Sequence, residues 1–100
     1  MQENYPMALT KKGSIDRIDI RKPYNEIRMR TKYSIFEDDV EISKVYYHET
    51  INPGSLDGSG NWIDTDMSAY TTEIQSISQI VWTDAVKNKY KEFLSVDVSE

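Results

Sequence analysis

The sequence predicts an α+β fold in which a three-stranded antiparallel β-meander is packed by two C-terminal α-helices. Residues 14–50 contain three runs rich in β-branched and aromatic residues, separated by short turn sequences. Residues 67–94 instead carry apolar side chains every three or four positions, the spacing of an amphipathic helix. The 100-residue length suits one domain with a modest core.

This pattern divides the chain into a flexible segment, one domain and a tail. Residues 1–13 are predicted to be flexible, and residues 95–100 to form a frayed tail. The single α+β domain then covers residues 14–94 and includes a long loop over residues 54–66. Three of the four glycines lie in that loop, where Trp62 and Ile63 are expected to anchor it to the body of the domain.

The hairpin over residues 27–50 is the feature on which the rest of the prediction depends. If Asp38 and Asp39 are its two turn residues, Ile35 lies opposite Ile42 and the strand faces follow from alternation. The predicted apolar face contains Ile27, Met29, Thr31, Tyr33, Ile35, Ile42, Lys44, Tyr46, His48 and Thr50. The predicted charged face contains Arg28, Arg30, Lys32, Ser34, Ser43, Val45, Tyr47 and Glu49. A shift of one residue would reverse these faces.

The first strand and the two helices complete the element list. Residues 14–20 alternate as a strand, and Pro23 and Asn25 mark the connection to the hairpin. Asp66 or Ser68 is the expected N-cap of the first helix, and Thr83 that of the second helix after a break at Trp82. The predicted core consists of Ile35, Ile42, Tyr46, Ile74, Ile77, Val81, Val86, Tyr90 and Phe93. Ile77→Ala should then cost about 2 to 5 kcal/mol.

The residues that commonly carry out chemistry are sparse. The chain has no Cys and one His, His48, which is interpreted as a structural histidine of the sheet. Residues 57–61 place oxygen ligands as a calcium loop does, but Trp62 replaces the required Gly and Ser68 the required Glu. No phosphate-binding glycine loop is present. We therefore predict no catalytic residue, no metal, no cofactor and no small-molecule substrate.

Charge is distributed unevenly along the chain. Residues 11–32 hold eight Lys or Arg against three acids, whereas residues 33–100 hold four against thirteen. The net charge of −5 makes nucleic acid an unlikely partner, because phosphate neutralisation drives that binding. Arg28, Arg30 and Lys32 nevertheless leave a single-stranded nucleic-acid-binding module open as an alternative. No apolar run has the length of a membrane span, and the N-terminal residues lack the pattern of a signal peptide.

Several short strings, in this order and spacing, resemble a family of small proteins encoded among the structural genes of tailed bacteriophages, marine and cyanobacterial phages included. The strings are Ala8-Leu9-Thr10-Lys11, Ile27-x-x-Arg30-Thr31, Phe36-Glu37-Asp38-x-Val40-Glu41-Ile42-Ser43-Lys44, Tyr47-His48, Pro53-Gly54 and Ile80-Val81-Trp82-Thr83. The likeness covers roughly residues 7–94. The chain departs from the family at Asp39, where Gly is expected, and in a longer loop after Gly54.

The resemblance implies a virion-associated structural or assembly protein, put together in the host bacterial cytoplasm, that contacts other phage structural proteins or copies of itself. A small regulator or inhibitor of a host protein remains the alternative from another class. Small apolar content, divided charge and an aromatic loop favour work in an assembled state. The predicted interface residues are Arg28, Arg30, Tyr47, Trp62 and Ile63.

Overall fold

The computed structural model describes residues 9–96, and it has the predicted α+β architecture. Three strands form an antiparallel sheet in the order β1-β2-β3, a short hairpin β4-β5 follows, and two helices end the chain. The elements are β1 Leu9–Arg21, β2 Glu26–Glu37, β3 Val40–Ile51, β4 Gly54–Leu56, β5 Trp62–Asp64, α1 Thr72–Val81 and α2 Asp84–Ser95.

Two segments that the sequence predicts to be irregular contain β-strands in the structure. β1 begins at Leu9 rather than Ser14, so residues 9–13 of the predicted flexible segment belong to the sheet. A Cβ atom on Gly13 would lie 2.5 Å from Cε1 of Tyr33, so the Tyr33 ring covers this glycine and compensates for its missing side chain. The predicted loop 54–66 contains the hairpin in which Leu56 pairs with Trp62. Residues 1–8 and 97–100, which include most of the predicted tail, lie outside the described residues.

The turn of the main hairpin is confirmed. Asp38 and Asp39 have φ angles of 52° and 69°, so both occupy the left-handed region. A two-residue turn with positive φ at both positions matches the twist of the strands that it joins. Asp tolerates this conformation better than most residues that carry a side chain, which explains how the turn forms without glycine.

The predicted register of the main hairpin is wrong beyond this turn. The Arg30 guanidinium carbon lies 4.5 Å from the centre of the Tyr46 ring, and the rings of Tyr33 and Tyr47 are 5.4 Å apart. Each of these pairs joins residues that the predicted register places on opposite faces. The pairing therefore shifts by one residue between the turn and Tyr47, as a β-bulge does. This shift exchanges the faces of β3 relative to those of β2.

The chain forms two compact units. The sheet unit consists of described residues 9–19 and 28–49, and the helix unit consists of residues 20–27 and 50–96. The buried apolar side chains of the helix unit are Ile27, Ile51, Ile74, Trp82 and Tyr90. They come from both helices and from strand residues near the 22–25 connection and the end of β3. Within the helix unit, the helices therefore share a core with strand residues such as Ile27 and Ile51.

The predicted core is only partly correct. Ile74 and Tyr90 are buried as predicted, and the half-buried members are Ile35, Ile77, Val81 and Val86. Ile42, Tyr46 and Phe93 are exposed, which contradicts the prediction. A 12-residue strand such as β3 extends roughly 40 Å. A 10-residue helix such as α1 extends roughly 15 Å, which is less than half the length of that strand.

Both helices have a threonine as their N-cap residue. The Thr83 hydroxyl accepts a hydrogen bond from the Val86 amide at 3.2 Å, which confirms the predicted N-cap of α2. The N-cap of α1 is Thr71, whose hydroxyl accepts from the Ile74 amide at 3.3 Å, so neither Asp66 nor Ser68 has this role. A threonine nearer the apolar stripe satisfies the first amides of the helix equally well.

Two hydrogen bonds hold the 22–25 connection to the end of α1. The Trp82 indole N–H donates to the Asn25 carbonyl oxygen at 2.7 Å, and the Asn25 side-chain amide donates to the Val81 carbonyl oxygen at 2.8 Å. Asn25 has a φ of 53°, a conformation that asparagine tolerates. The predicted helix break at Trp82 is therefore also a buried contact of the helix unit.

Candidate functional site

One face of the sheet unit, here called the basic face, is fixed by three side-chain contacts. Arg30 donates two hydrogen bonds to the Asp16 carboxylate at 2.9 and 3.0 Å, and its guanidinium lies over Tyr46. The Lys12 ammonium lies 5.2 Å from the centre of the Phe36 ring. By strand alternation, Arg28 and Lys32 belong to the same face as Arg30. The charged side chains of this face include Lys12, Arg28, Arg30, Lys32 and Asp16.

The opposite face, here called the acidic face, is fixed in the same way. The Lys11 ammonium lies 4.6 Å from the centre of the Tyr33 ring, and that ring contacts Tyr47 edge-on. Alternation from these residues adds Glu37 and Glu49 to this face, so its charged side chains include Lys11, Glu37 and Glu49. Arg17 and Asp19 form an ion pair at 3.4 Å and line a pocket with Arg28, Arg30 and His48.

β3 is the most exposed element of the sheet. Every residue from Val40 to Thr50 is exposed, although several are apolar or aromatic. The Tyr47 side chain, on the acidic face, is 60% exposed, and the Tyr46 side chain, on the basic face, is 40% exposed. Val40 and Ile42, nearer the turn, are 63% and 52% exposed. A continuous strand with large uncovered side chains on both faces is typical of a protein-interaction surface.

The Asp16–Arg30 pair organises the charge of the basic face. Both side chains remain partly exposed, at 26% and 29%, so the pair is in contact with water. The hydrogen bonds from Arg30, and then its positive charge with that of Lys32, hold the pKa of Asp16 below its ordinary value of 3.8. The same pairing raises the pKa of Arg30. Asp16 is therefore ionised at neutral pH and already engaged by Arg30.

We expect this pair to contribute to stability only above acid pH. The pKa of Asp16 is lowered in the folded protein, so the contribution is present above pH 3.8 and is lost as the pH falls through the folded-state value. Asp16→Asn should therefore weaken the pH dependence of thermal unfolding below about pH 4, the ordinary range of an Asp carboxyl. Thermal melts followed by circular dichroism from pH 2 to neutrality measure this effect.

The matched control is Arg30→Gln, which removes the other partner of the same pair. It should reduce the same part of the pH dependence, and the double variant should lose no more than either single variant. Fully additive losses would show that Asp16 and Arg30 stabilise the fold through separate contacts.

The five predicted interface residues fall in different places. Arg30 lies on the basic face and Tyr47 on the acidic face, so the predicted proximity of these two on one face is wrong. Arg28 is half-buried in the sheet unit. Trp62 and Ile63 belong to the helix unit.

Trp62 anchors the β4-β5 hairpin, as predicted. Its ring covers Gly54, where an added Cβ would also lie 2.6 Å from the Ile63 carbonyl oxygen. Its ring meets the Tyr90 ring edge-on at 6.3 Å, and its indole N–H donates to the Asp64 carboxylate at 2.8 Å. Ile63 is 49% exposed, so it is not a second anchor. Ile63 stays available for contact with a partner.

In the 57–66 segment, the carboxylates of Asp57 and Asp64 accept hydrogen bonds from different groups and share none of them. Asp57 accepts from the Ser59 and Asn61 amides at 2.8 and 2.9 Å, and these hydrogen bonds lower the pKa of Asp57. Asp64 accepts from Trp62 and pairs with Lys87 at 3.0 Å, which lowers the pKa of Asp64. Among residues 9–96, no group of three or more His, Asp or Glu side chains is arranged to hold a metal ion.

We expect no stoichiometric calcium binding by this segment. The Asp57 carboxylate is used by backbone amides, and the ligand pattern is broken at Trp62 and Ser68. Titration calorimetry with calcium should give no saturable heat, in the wild type as in Asp57→Ala. A micromolar affinity that disappears in Asp57→Ala would contradict this expectation.

His48 is exposed and lies at the edge of a small pocket in the sheet unit. The pocket is also lined by Arg17, Asp19, Arg28, Met29 and Arg30. Met29 is buried, so the pocket has an apolar floor beneath a mostly cationic rim. The histidine has no cysteine or serine nucleophile among these neighbours, and the pocket suggests no defined reaction.

Sequence reasoning missed Lys12 and Tyr46 as surface residues. Lys12 was placed in a flexible segment, and Tyr46 in the core. The sequence of β3 does not reveal that the strand is exposed, because the same apolar and aromatic side chains also suit a sheet that is covered.

No helix within residues 9–96 is long and apolar enough to cross a membrane. Comparison of the chain with protein-family models, curated proteins and solved structures finds no match.

Proposed function

We propose that this protein is a non-enzymatic structural or assembly component of a phage particle that acts through protein–protein contacts of its three-stranded sheet. The observation that carries the contact role is the exposure of all residues from Val40 to Thr50. Large apolar side chains in that stretch, such as Tyr47, lose contact with water when a partner binds. The phage assignment rests on the resemblance of the sequence strings, including Tyr47-His48 and Pro53-Gly54.

The test is to look for the chain in purified virions by quantitative mass spectrometry. A fixed copy number per particle, retained after a high-salt wash, supports a structural role. Recovery only from infected cells, in complex with a host protein, would instead favour the regulator of a host protein. Tyr47→Lys should reduce incorporation into particles, whereas Lys89→Glu on the exposed side of α2 should not.

A single-stranded nucleic-acid-binding role is a second candidate, favoured by one observation. The basic face carries Arg30 and Lys32 together with Lys12, so several cations lie on one side of the sheet. Two observations weigh against this role. The rings of Phe36 and Tyr46 are already covered by cations, which leaves less ring surface for bases to stack on, and the chain has a net charge of −5. Retention on single-stranded DNA that falls steeply with salt would favour it.

A further inference from the structure

We propose that the small pocket beside His48 binds a single carboxylate, the acidic side chain of a partner protein that covers β3. The inference rests on the proposed function, since it names the chemistry by which the exposed sheet recognises its partner. The pocket is a binding site and not a site of reaction. All of its lining residues belong to the sheet unit.

The first argument is the concentration of guanidinium groups around the pocket. A guanidinium carries five N–H donors in a planar fork that matches the two oxygens of a carboxylate. His48 is exposed, and its ring has an N–H donor in either neutral tautomer. A pocket so rich in donors suits an anion. Its lining residues are Arg17, Asp19, Arg28, Met29, Arg30 and His48.

The second argument is that one guanidinium of the pocket has no carboxylate partner. Arg30 donates from Nε and Nη2 to the Asp16 carboxylate. Arg17 is paired with Asp19 at 3.4 Å. Arg28 is half-buried and forms no ion pair with any described residue between positions 9 and 96. A half-buried cation has lost part of its contact with water, so it gains from an anion that enters the pocket.

The third argument is that charge favours a carboxylate over a phosphate group. Three arginines line the pocket against one acid, Asp19, and Asp16 cancels the charge of Arg30 from outside it. With His48 neutral, one positive charge remains in excess, which a single carboxylate neutralises. A phosphate monoester carries about −1.5 to −2 at neutral pH, so it would bring surplus negative charge beside these two aspartates.

The fourth argument is the size and position of the pocket. Its volume of about 120 Å³ is the space of roughly four water molecules, which suits the few heavy atoms of an Asp or Glu side chain. Met29 is 6% exposed and gives the methylene groups of that side chain an apolar surface. His48 belongs to β3 and follows the exposed Tyr47. An acid in the pocket therefore comes from a chain that lies along the strand to which we assign the partner contact.

The test measures binding of a fluorescently labelled hexaglutamate peptide to the full-length protein by fluorescence anisotropy. A labelled hexaglutamine peptide is the neutral comparison and should not bind. Arg28→Gln should weaken binding of the hexaglutamate peptide by at least about tenfold, because it removes charge-assisted hydrogen bonds. Arg21→Gln removes the same charge at an exposed position outside the pocket, and its affinity should stay within about twofold of wild type.

Two further variants separate binding from folding. Arg28→Lys keeps the positive charge without the planar fork, so its loss should be smaller than that of Arg28→Gln. Asp19→Asn removes the acid of the pocket at a side chain that is 46% exposed, and it should tighten binding by about two- to fivefold. A gain in affinity cannot result from misfolding, and melting curves that match wild type show that the arginine variants are folded.

Competition at constant ionic strength identifies the anion. Acetate should displace the hexaglutamate peptide at least as well as inorganic phosphate does, and stronger displacement by phosphate would overturn the assignment to a carboxylate. The site itself is rejected if wild-type protein does not distinguish hexaglutamate from hexaglutamine. It is also rejected if Arg28→Gln loses no more affinity than Arg21→Gln, or if Asp19→Asn binds no more tightly than wild type.

Virion composition distinguishes failure of this site from failure of the proposed function. Detection of the chain in virions, without binding of the hexaglutamate peptide, would reject the carboxylate site and leave the proposed function standing. Binding that depends on Arg28, by a chain that is absent from virions, would reject the proposed function and leave the site standing.

Discussion

Ile74→Ala is expected to lower the free energy of unfolding by about 2 to 5 kcal/mol, the range of large-to-small changes in a packed core. Ile74 is fully buried, and it lies on α1 in the core shared with Ile27 and Ile51. The loss combines the transfer of the side chain out of an apolar environment with the cavity left behind. Equilibrium unfolding in urea, followed by circular dichroism, measures it.

Two other isoleucines of α1 are the controls for this prediction. Ile80 is 74% exposed, so Ile80→Ala should change the free energy by less than about 0.5 kcal/mol, as surface substitutions do. Ile77, which the sequence placed in the core, is half-buried, and its loss should fall between the two. Equal losses at all three positions would contradict the observed packing of α1.

Trp82→Ala is expected to cost about 3 to 5 kcal/mol, because it removes a large buried side chain and its hydrogen bond to the Asn25 carbonyl oxygen. Trp82→Phe separates these two contributions. It keeps an aromatic ring but leaves the Asn25 carbonyl without its donor, at an expected cost of about 1 to 3 kcal/mol. The same urea titration measures both variants.

Trp62→Phe is the matched control, because the Trp62 indole N–H donates to the exposed Asp64 carboxylate. Water can replace that donor, so the loss of the hydrogen bond should cost less than at Trp82, about 0.5 to 1.5 kcal/mol. If Trp82→Phe proves no more costly than Trp62→Phe, the buried contact between Trp82 and the 22–25 connection does not stabilise the helix unit.

The stability of the protein comes mainly from packing within its helix unit, because the sheet is largely exposed. Most of the buried apolar side chains belong to that unit, and Met29 is the buried apolar residue of the described part of the sheet unit. Substitutions on the sheet faces can therefore change association with little effect on folding. This separation makes Tyr46 and Tyr47 useful positions for testing assembly.

The sequence determined the elements whose signals are local. The apolar spacing of α1 and α2, the N-cap Thr83, the break at Trp82 and the turn at Asp38-Asp39 were all predictable from neighbouring residues. Local signals of this kind depend on backbone preferences and on side chains within a few positions. They identified the α+β fold and the order of its three long strands and two helices, but not the short hairpin β4-β5.

Tertiary structure alone decided which side chains are covered and which residues share a face. A one-residue shift in the pairing of β2 and β3 placed Tyr46 beside Arg30 and moved Tyr47 to the other face, and alternation along a strand cannot reveal such a shift. The core of the helix unit likewise takes its strand residues from near the strand ends, as Ile27 and Ile51 show. The candidate interaction surface arises from these two facts, since the same apolar residues would suit a buried sheet or an exposed one.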